Sequence, residues 1–178
     1  MDRPVRRIAV IGPPGPCRRP HARRLGRALE VPVLSVGSLL EHEARQGSRA
    51  GLVAAGALER GELVPDEIVY ALLEPRLATM RRGWILDGFP RTPAQARWML
   101  ATPVATPDTV IDVDVPIATL LASLDRESDA DLYLAHLGVL VANTAAMLDE
   151  LEPRVRVRTI DGAQLSPELA LDLLHAMA

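Results

Sequence analysis

Short apolar runs alternate along this chain with longer stretches in which hydrophobic residues recur at helical spacing. The short runs are rich in β-branched residues, which predicts strands at residues 7–11, 31–35, 84–87, 109–113 and 156–160. Strands that alternate with helices predict an α/β fold, with a five-stranded, doubly wound parallel sheet and helices on both faces. Such sheets bind ligands beyond the carboxyl ends of their strands, so the residues that follow the strands are the first site candidates.

Polar residues and prolines predict where several helices begin. Ser38, Asp66 and Ser166 are predicted N-caps, and Ser38 with Glu41 has the spacing of a capping box. The prolines suited to a first helical turn are Pro20, Pro116 and Pro167. No repeat or low-complexity linker interrupts the pattern, so residues 1–178 are predicted to form a single domain.

Composition narrows the class of protein. A length of 178 residues, 48% of them hydrophobic, suits one domain with a sizeable core. The net charge of −3 provides no basic field for a polyanion, and 3% aromatic residues leave few rings for stacking bases. Both observations argue against general nucleic-acid binding. All 20 residues counted as Lys or Arg are arginine, which excludes chemistry that needs a lysine.

Cysteine content and hydropathy bear on location. The single Cys17 cannot form an internal disulfide, and the amino-terminal residues contain no signal-peptide core of useful length, which favours the cytoplasm. Charged residues are expected to interrupt every apolar stretch before the ~20 residues of a membrane helix, so no span is predicted. No Cys or His spacing suggests a metal site, and the oligomeric state stays open.

The first predicted strand leads into GPPGPCRRP, residues 12–20, before a helical pattern begins. A strand, a glycine-containing loop and a helix are the context of a phosphate-binding loop. Such a loop needs glycines whose N–H groups wrap an anion, a lysine that reaches the outer phosphates and a hydroxyl near the metal. The candidate donor-phosphate residues are Gly12, Gly15, Cys17, Arg18 and Arg19.

Three further stretches follow in order: SVGSLLE at residues 35–41, GELVPDE at residues 61–67 and DGFPRTPAQA at residues 87–96. Together with the loop, they resemble adenylate kinase over most of the chain. The resemblance implies a P-loop kinase fold with an acceptor-nucleotide-binding segment at about 38–73 and a short lid at about 123–137.

The resemblance also implies roles for single residues. Arg91 would bind the acceptor phosphate bidentately, Gln95 would hydrogen-bond the base, and Asp87 would act through water on a magnesium ion. The residues implied to bind substrate are Gly37, Leu58, Val64, Gly88, Arg91 and Gln95. The candidate catalytic residues are Arg18, Asp87 and Arg126.

The chain departs from the adenylate kinase pattern where phosphates bind. The family has Gly-Lys-Gly-Thr where residues 17–20 read CRRP, so Arg18 would have to supply the lysine's charge with a bulkier, planar group. Glu41 stands where the family has an arginine that grips the acceptor phosphate, and a carboxylate there would repel the dianion. Between residues 115 and 152 the basic residues are Arg126 and His136, whereas the family's lid carries several arginines.

Two further groups of residues could carry a different function. His21, Glu41 and His42 are candidates for a repurposed acid–base site if they gather at the cleft; the alternative is that they are solvated helix residues. The arginine-rich run at residues 18–27 could form a basic rim for a small anion or a partner, or only a solvated helix face.

The pattern favours an adenylate-kinase-like protein that is not an efficient ATP:AMP phosphotransferase. Its cleft would be redirected to another small-molecule reaction or to ligand binding. One alternative is an active nucleoside monophosphate kinase that uses Arg18 in place of lysine, with ATP and Mg²⁺; the cofactor is otherwise left open. The other alternative is a non-catalytic interaction scaffold. The expected partner is a small, nucleotide-like ligand, with neither nucleic acid nor a membrane.

Overall fold

A computed structural model of the chain describes residues 6–13, 18–122 and 130–162. The strands in this part are β1 (Arg6–Ile11), β2 (Val33–Ser35), β3 (Gly83–Asp87), β4 (Thr109–Asp114) and β5 (Arg156–Asp161). The helices are α1 (Arg18–Leu29), α2 (Val36–Gln46), α3 (Arg49–Glu59), α4 (Asp66–Thr79), α5 (Pro93–Ala101), α6 (Ile117–Ala122) and α7 (Ala130–Leu151). All five predicted strands are confirmed, with ends that differ by no more than two residues.

The five strands form one parallel sheet in the order β2-β3-β1-β4-β5. Ser35 at the end of β2 and Val10 near the end of β1 are both in register with Asp87 at the end of β3. The carboxyl ends of these three strands therefore lie at one edge of the sheet. This arrangement confirms the predicted α/β P-loop kinase fold.

Alternate residues of the central strand enter two separate core layers. Ile8 and Val10 pack with residues of α1, α6 and α7, whereas Ala9 and Ile11 pack with residues of α2 to α5. All four side chains are 0–1% exposed, and burying each of the larger ones stabilises the fold by roughly 1.5–3 kcal/mol. Both faces of the sheet are therefore covered by helices.

The starts of α2 and α4 differ from the prediction. Strand β2 runs straight into α2, so the N-cap is Ser35 and Ser38 lies inside the helix. The capping box of Ser38 with Glu41 is therefore wrong. Asp66 is the first residue of α4 and Pro65 is its N-cap, one residue before the predicted position. A cap depends on the point at which the preceding chain leaves the extended conformation, which residue spacing alone does not specify.

The predictions for where the other helices begin are confirmed in part. Pro20 lies in the first turn of α1, and Pro116 directly precedes α6. Ser166 and Pro167 lie outside the described residues. Two caps were not predicted: Ser48 Oγ accepts from Gly51 N at 3.0 Å, and Thr92 Oγ1 accepts from Gln95 N at 3.1 Å.

The predicted lid at 123–137 falls only partly on described residues. Residues 130–137 form the first turns of α7, a helix of 22 residues that packs against α5. Residues 123–129, including Arg126, lie outside the described part. The division into a core, an acceptor segment and a lid stays a prediction.

Helix α7 bears on the membrane prediction. Residues 132–148 contain no Asp, Glu, Lys or Arg, and in the described part this helix is long and apolar enough to cross a membrane by length and composition. A single helix of this kind is weak evidence for a span, and the face that carries Leu137, Leu140, Met147 and Leu151 is buried in the fold. The cytoplasmic location stays a prediction.

Candidate functional site

A cavity of about 260 Å³ lies beyond the carboxyl end of β3. Its walls come from α1, α2, α3 and α7, from α4 and the loop before it, and from the β3–α5 loop with the start of α5. The volume lies near the lower end of the roughly 300–1,000 Å³ typical of small-molecule pockets. All six residues that the family resemblance assigned to substrate binding line it: Gly37, Leu58, Val64, Gly88, Arg91 and Gln95.

Arg91 presents a cation to this cavity. Its Nε donates to the Gly88 carbonyl at 3.1 Å, and its terminal nitrogens have no hydrogen-bond partner among the described residues. Burial, followed by the nearby charge of Arg18, lowers the pKa of Arg91 to about 10, and Asp87 offsets part of the shift. The guanidinium therefore stays charged at neutral pH and can receive an anion.

Gln95 is held in one orientation by its neighbours. Its Oε1 accepts from the Arg91 N–H at 2.8 Å, and its Nε2 donates to Asp66 Oδ1 at 2.7 Å. Because a backbone N–H only donates and a carboxylate only accepts, the amide cannot be reversed without losing both bonds. Tyr70 donates to the other oxygen of Asp66 at 3.1 Å. One N–H and one lone pair of Gln95 are left for a ligand.

Asp66 is a site residue that sequence reasoning missed. Its local pattern marked it only as a helix cap, and its partner Gln95 lies 29 residues further along the chain. Tyr70 stacks on Trp98 with ring centroids 4.2 Å apart and meets Phe89 edge to face. These ring contacts hold Tyr70 in place, and Tyr70 in turn donates to Asp66.

Arg18 lies beside Gly88 on the cavity wall and is held by protein partners through its Nε and NH1. Its Nε is 2.6 Å from Asp87 Oδ1, and its NH1 donates to the carbonyls of Gly12 at 2.8 Å and Pro13 at 3.1 Å. Arg18 is 5% exposed and Asp87 is fully buried. The carbonyls of Gly12 and Pro13 therefore point toward a cation. In a phosphate-binding loop, backbone N–H groups point toward an anion instead. Gly15 and Cys17 lie outside the described residues.

Gly88 allows the Arg18 side chain to take this position. Its φ is +86°, a conformation that favours glycine, and a β-carbon there would stand 2.7 Å from Arg18 NH2. The glycine after β3 is therefore needed for the turn and for the close approach of the guanidinium.

Comparison with known proteins identifies the family. The adenylate kinase family model matches residues 10–159. The chain belongs to the adenylate kinase family. It is 34% identical to an adenylate kinase of a Cyanothece species over 182 residues, covering 95% of this chain and 93% of the relative. It is 31% identical to adenylate kinase 1 of a Nostoc species over 94% of this chain and 96% of the relative. An adenylate kinase of Gloeobacter violaceus is 41% identical over 125 residues, which cover 67% of this chain and 57% of that protein.

The residues around Asp87 do not fit the Mg²⁺ that adenylate kinase chemistry implies. One oxygen of Asp87 is held by Arg18, and the other, which accepts no hydrogen bond from the described residues, lies 4.0 Å from Arg19 Nε. Two guanidinium groups beside one carboxylate oppose a divalent cation. Pro20 supplies no hydroxyl where the family has threonine. In the described ranges no group of three His, Cys, Asp or Glu side chains could hold a metal ion.

Other charged groups complete the cavity wall. Glu41 lines it as an exposed side chain, so a carboxylate does face the region predicted for the acceptor phosphate. His136 projects from α7, and burial together with the charge of Arg91 lowers the pKa of His136. Arg19 lies on the same wall as Arg18. The cavity therefore carries cations of α1 and the β3–α5 loop, with Glu41 at an exposed position.

The repurposed acid–base cluster is not assembled. His21 is buried in α1, where it hydrogen-bonds the backbone of Gly162 after β5, at the edge of the sheet opposite β2. Glu41 lines the first cavity, whereas His42 lines a different one. Adjacent residues of a helix point about 100° apart, which separates Glu41 from His42, and His21 lines neither of the two cavities. The prediction that these side chains share a cleft is wrong.

Proposed function

We propose that this member of the adenylate kinase family binds a nucleoside monophosphate, or a closely similar phosphorylated ligand, in the 260 Å³ cavity and does not efficiently transfer phosphate from ATP. The observation that carries the proposal is the buried bonding of Arg18 to Asp87 and to two loop carbonyls. Arg18 stands where the family has its lysine. Because its Nε and NH1 bond to these protein groups, they are not available to the phosphates of ATP.

The acceptor side supports ligand binding. Arg91 has terminal N–H groups available for a bidentate contact with a phosphate, and Leu58 and Val64 offer an apolar surface to a base. Gln95 keeps one N–H donor and one acceptor lone pair beyond its bonds to Asp66 and Arg91. That pattern matches the adjacent donor and acceptor on an adenine edge, which glutamine pairs with in two bonds.

The donor side argues against efficient transfer. Phosphoryl transfer depends on cations positioned around the phosphates and on Mg²⁺, and removing one such cation can cost roughly 10³–10⁵ in rate. The Nε and NH1 of Arg18 could turn to a donor phosphate only by leaving Asp87 without this partner in a buried site, which costs about 3–5 kcal/mol. Neither Asp87 nor Pro20 suits the metal.

Calorimetry with AMP tests the binding half of the proposal. Arg91→Ala should weaken AMP by roughly 10- to 100-fold, since a hydrogen bond to a charged group is worth about 1.5–3 kcal/mol. Arg97→Ala is the matched control, because Arg97 pairs with Glu150 on an exposed surface. Binding should also persist in EDTA. No AMP binding, or equal effects of the two substitutions, would reject the acceptor site and favour the scaffold.

A coupled assay with ATP, AMP and Mg²⁺ tests the catalytic half. The competing function, an active nucleoside monophosphate kinase, is favoured by the names of the relatives, which are called adenylate kinases. Turnover within about tenfold of the ~1–100 s⁻¹ of kinases would overturn the proposal. If Arg18 performs the lysine's task, Arg18→Lys should change that turnover strongly. The proposal expects little turnover in either protein.

A further inference from the structure

A second cavity, of about 540 Å³, opens at the β2 edge of the sheet, between α1, α2 and α4. Its polar lining comes from Arg19, Arg23, Ser35, Ser38, His42 and Arg76, with Asp87 at its floor. The Arg18–Asp87 pair separates it from the first cavity, and Arg19 lines both.

The second cavity carries an excess of positive charge. Arg76 is neutralised by Glu43 at 2.9 Å, and one oxygen of Asp87 is neutralised by Arg18. Arg19 approaches the other Asp87 oxygen only to 4.0 Å, and Arg23 has no ion-pair partner in the described part of the chain. Arg19 and Arg23 lie four residues apart on α1, so both present their charges on one face.

Two hydroxyl groups complete the chemistry of an anion site. Ser35 Oγ is buried and has no hydrogen-bond partner among the described residues, a condition that costs about 1–3 kcal/mol unless the group is satisfied. Although Ser35 is the N-cap of α2, its side chain makes no cap bond, so its hydroxyl can turn toward the cavity that Ser35 lines without breaking a hydrogen bond among the described residues. Ser38 follows in the first turn, where the free N–H groups of the helix also favour negative charge.

We propose that this second cavity binds the phosphate group of a small phosphorylated metabolite. Arg19 and Arg23 supply the charge, and Ser35 and Ser38 supply neutral donors. The Asp87 carboxylate does not oppose this, because its single charge is balanced by Arg18 at 2.6 Å, which leaves Arg19, 4.0 Å from the other oxygen, for the anion. The site is separate from the nucleotide cavity of the proposed function and does not depend on it.

The test is a titration of the ¹⁵N-labelled full chain with inorganic phosphate, at constant ionic strength, followed by NMR. The backbone amides of Ser35 and Ser38 should shift with saturation. Arg23→Gln should weaken the fitted affinity about tenfold, as expected for loss of a charge-assisted contact. Arg82→Gln removes the same charge from an exposed position just before β3, at the end of that strand opposite Asp87, and should change affinity by no more than roughly twofold, as for a screened distant charge.

AMP added to the Arg91→Ala variant distinguishes the source of the phosphate group. Because Val36 and Gly37 line the first cavity, shifts at Ser35 and Ser38 with AMP assign the site to the phosphate end of a nucleotide only if Arg23→Gln weakens them. Shifts with inorganic phosphate alone assign it to the free ion. Either result supports the site. It is overturned if neither ligand shifts these amides, or if Arg23→Gln and Arg82→Gln weaken binding equally.

Discussion

Replacing Arg18 with methionine probes the buried ion pair on which the proposed loss of transfer depends. Methionine keeps an unbranched side chain but removes the contact with Asp87 at 2.6 Å and the donors to the carbonyls of Gly12 and Pro13. Asp87 would remain fully buried, with Arg19 at 4.0 Å as the nearest cation. The variant therefore leaves a carboxylate in the interior without a close partner.

The expected loss of stability follows from that burial. Breaking a buried pair by removing one partner costs about 3–5 kcal/mol, a large part of the roughly 5–15 kcal/mol that stabilises a domain. For a chain of this length each kcal/mol lowers Tm by roughly 2–4 °C, so Arg18→Met should unfold roughly 6–20 °C below the wild type. Removing the charge of the partner as well, in Arg18→Met with Asp87→Asn, should restore part of the loss.

Urea unfolding followed by tryptophan fluorescence measures these free energies. Arg97→Met is the control, because Arg97 also lies 2.6 Å from a carboxylate, that of Glu150, but the two side chains are 58% and 36% exposed. Exposed pairs contribute about 0–1 kcal/mol. If Arg18→Met costs no more than Arg97→Met, or if the effects of Arg18→Met and Asp87→Asn simply add, Arg18 is not held by Asp87 and is free to serve a phosphate.

Two further predictions follow from shifted pKa values. Burial lowers the pKa of His21 below its ordinary 6.5, so the unfolded chain binds that proton first as the pH falls. The free energy of unfolding should therefore decrease below about pH 6.5, and His21→Gln should flatten this slope in urea titrations; an unchanged slope would contradict the shift. Burial, and then the charge and hydrogen bond of Asp66, raise the pKa of Tyr70. Asp66→Asn should bring that pKa back toward its ordinary value in an ultraviolet titration, and Glu67→Gln should have less effect; equal effects would rule out the Asp66 contact.

The sequence by itself determined the sheet and the general position of the site. Period-two burial in Ile8 to Ile11 and the apolar run ahead of Asp87 are local properties, because neighbouring side chains of a strand must face opposite sides. The stretch at residues 87–96 likewise forms its own turn, in which Gly88 takes a positive φ and Thr92 caps α5, although that cap was not predicted. Such features depend on a few consecutive residues.

Only the tertiary structure decided what the charged groups do. Arg18 could have faced a phosphate, but folding brings it to Asp87, 69 residues away. Gln95 could have been free, but Asp66 fixes its amide. The short strand β2 passes straight into α2, so the N-cap is Ser35 and not the predicted Ser38. The hydroxyl of Ser35 makes no cap bond. Each outcome depends on segments that meet only when the sheet is assembled, and local residue patterns contain no information on which distant group arrives.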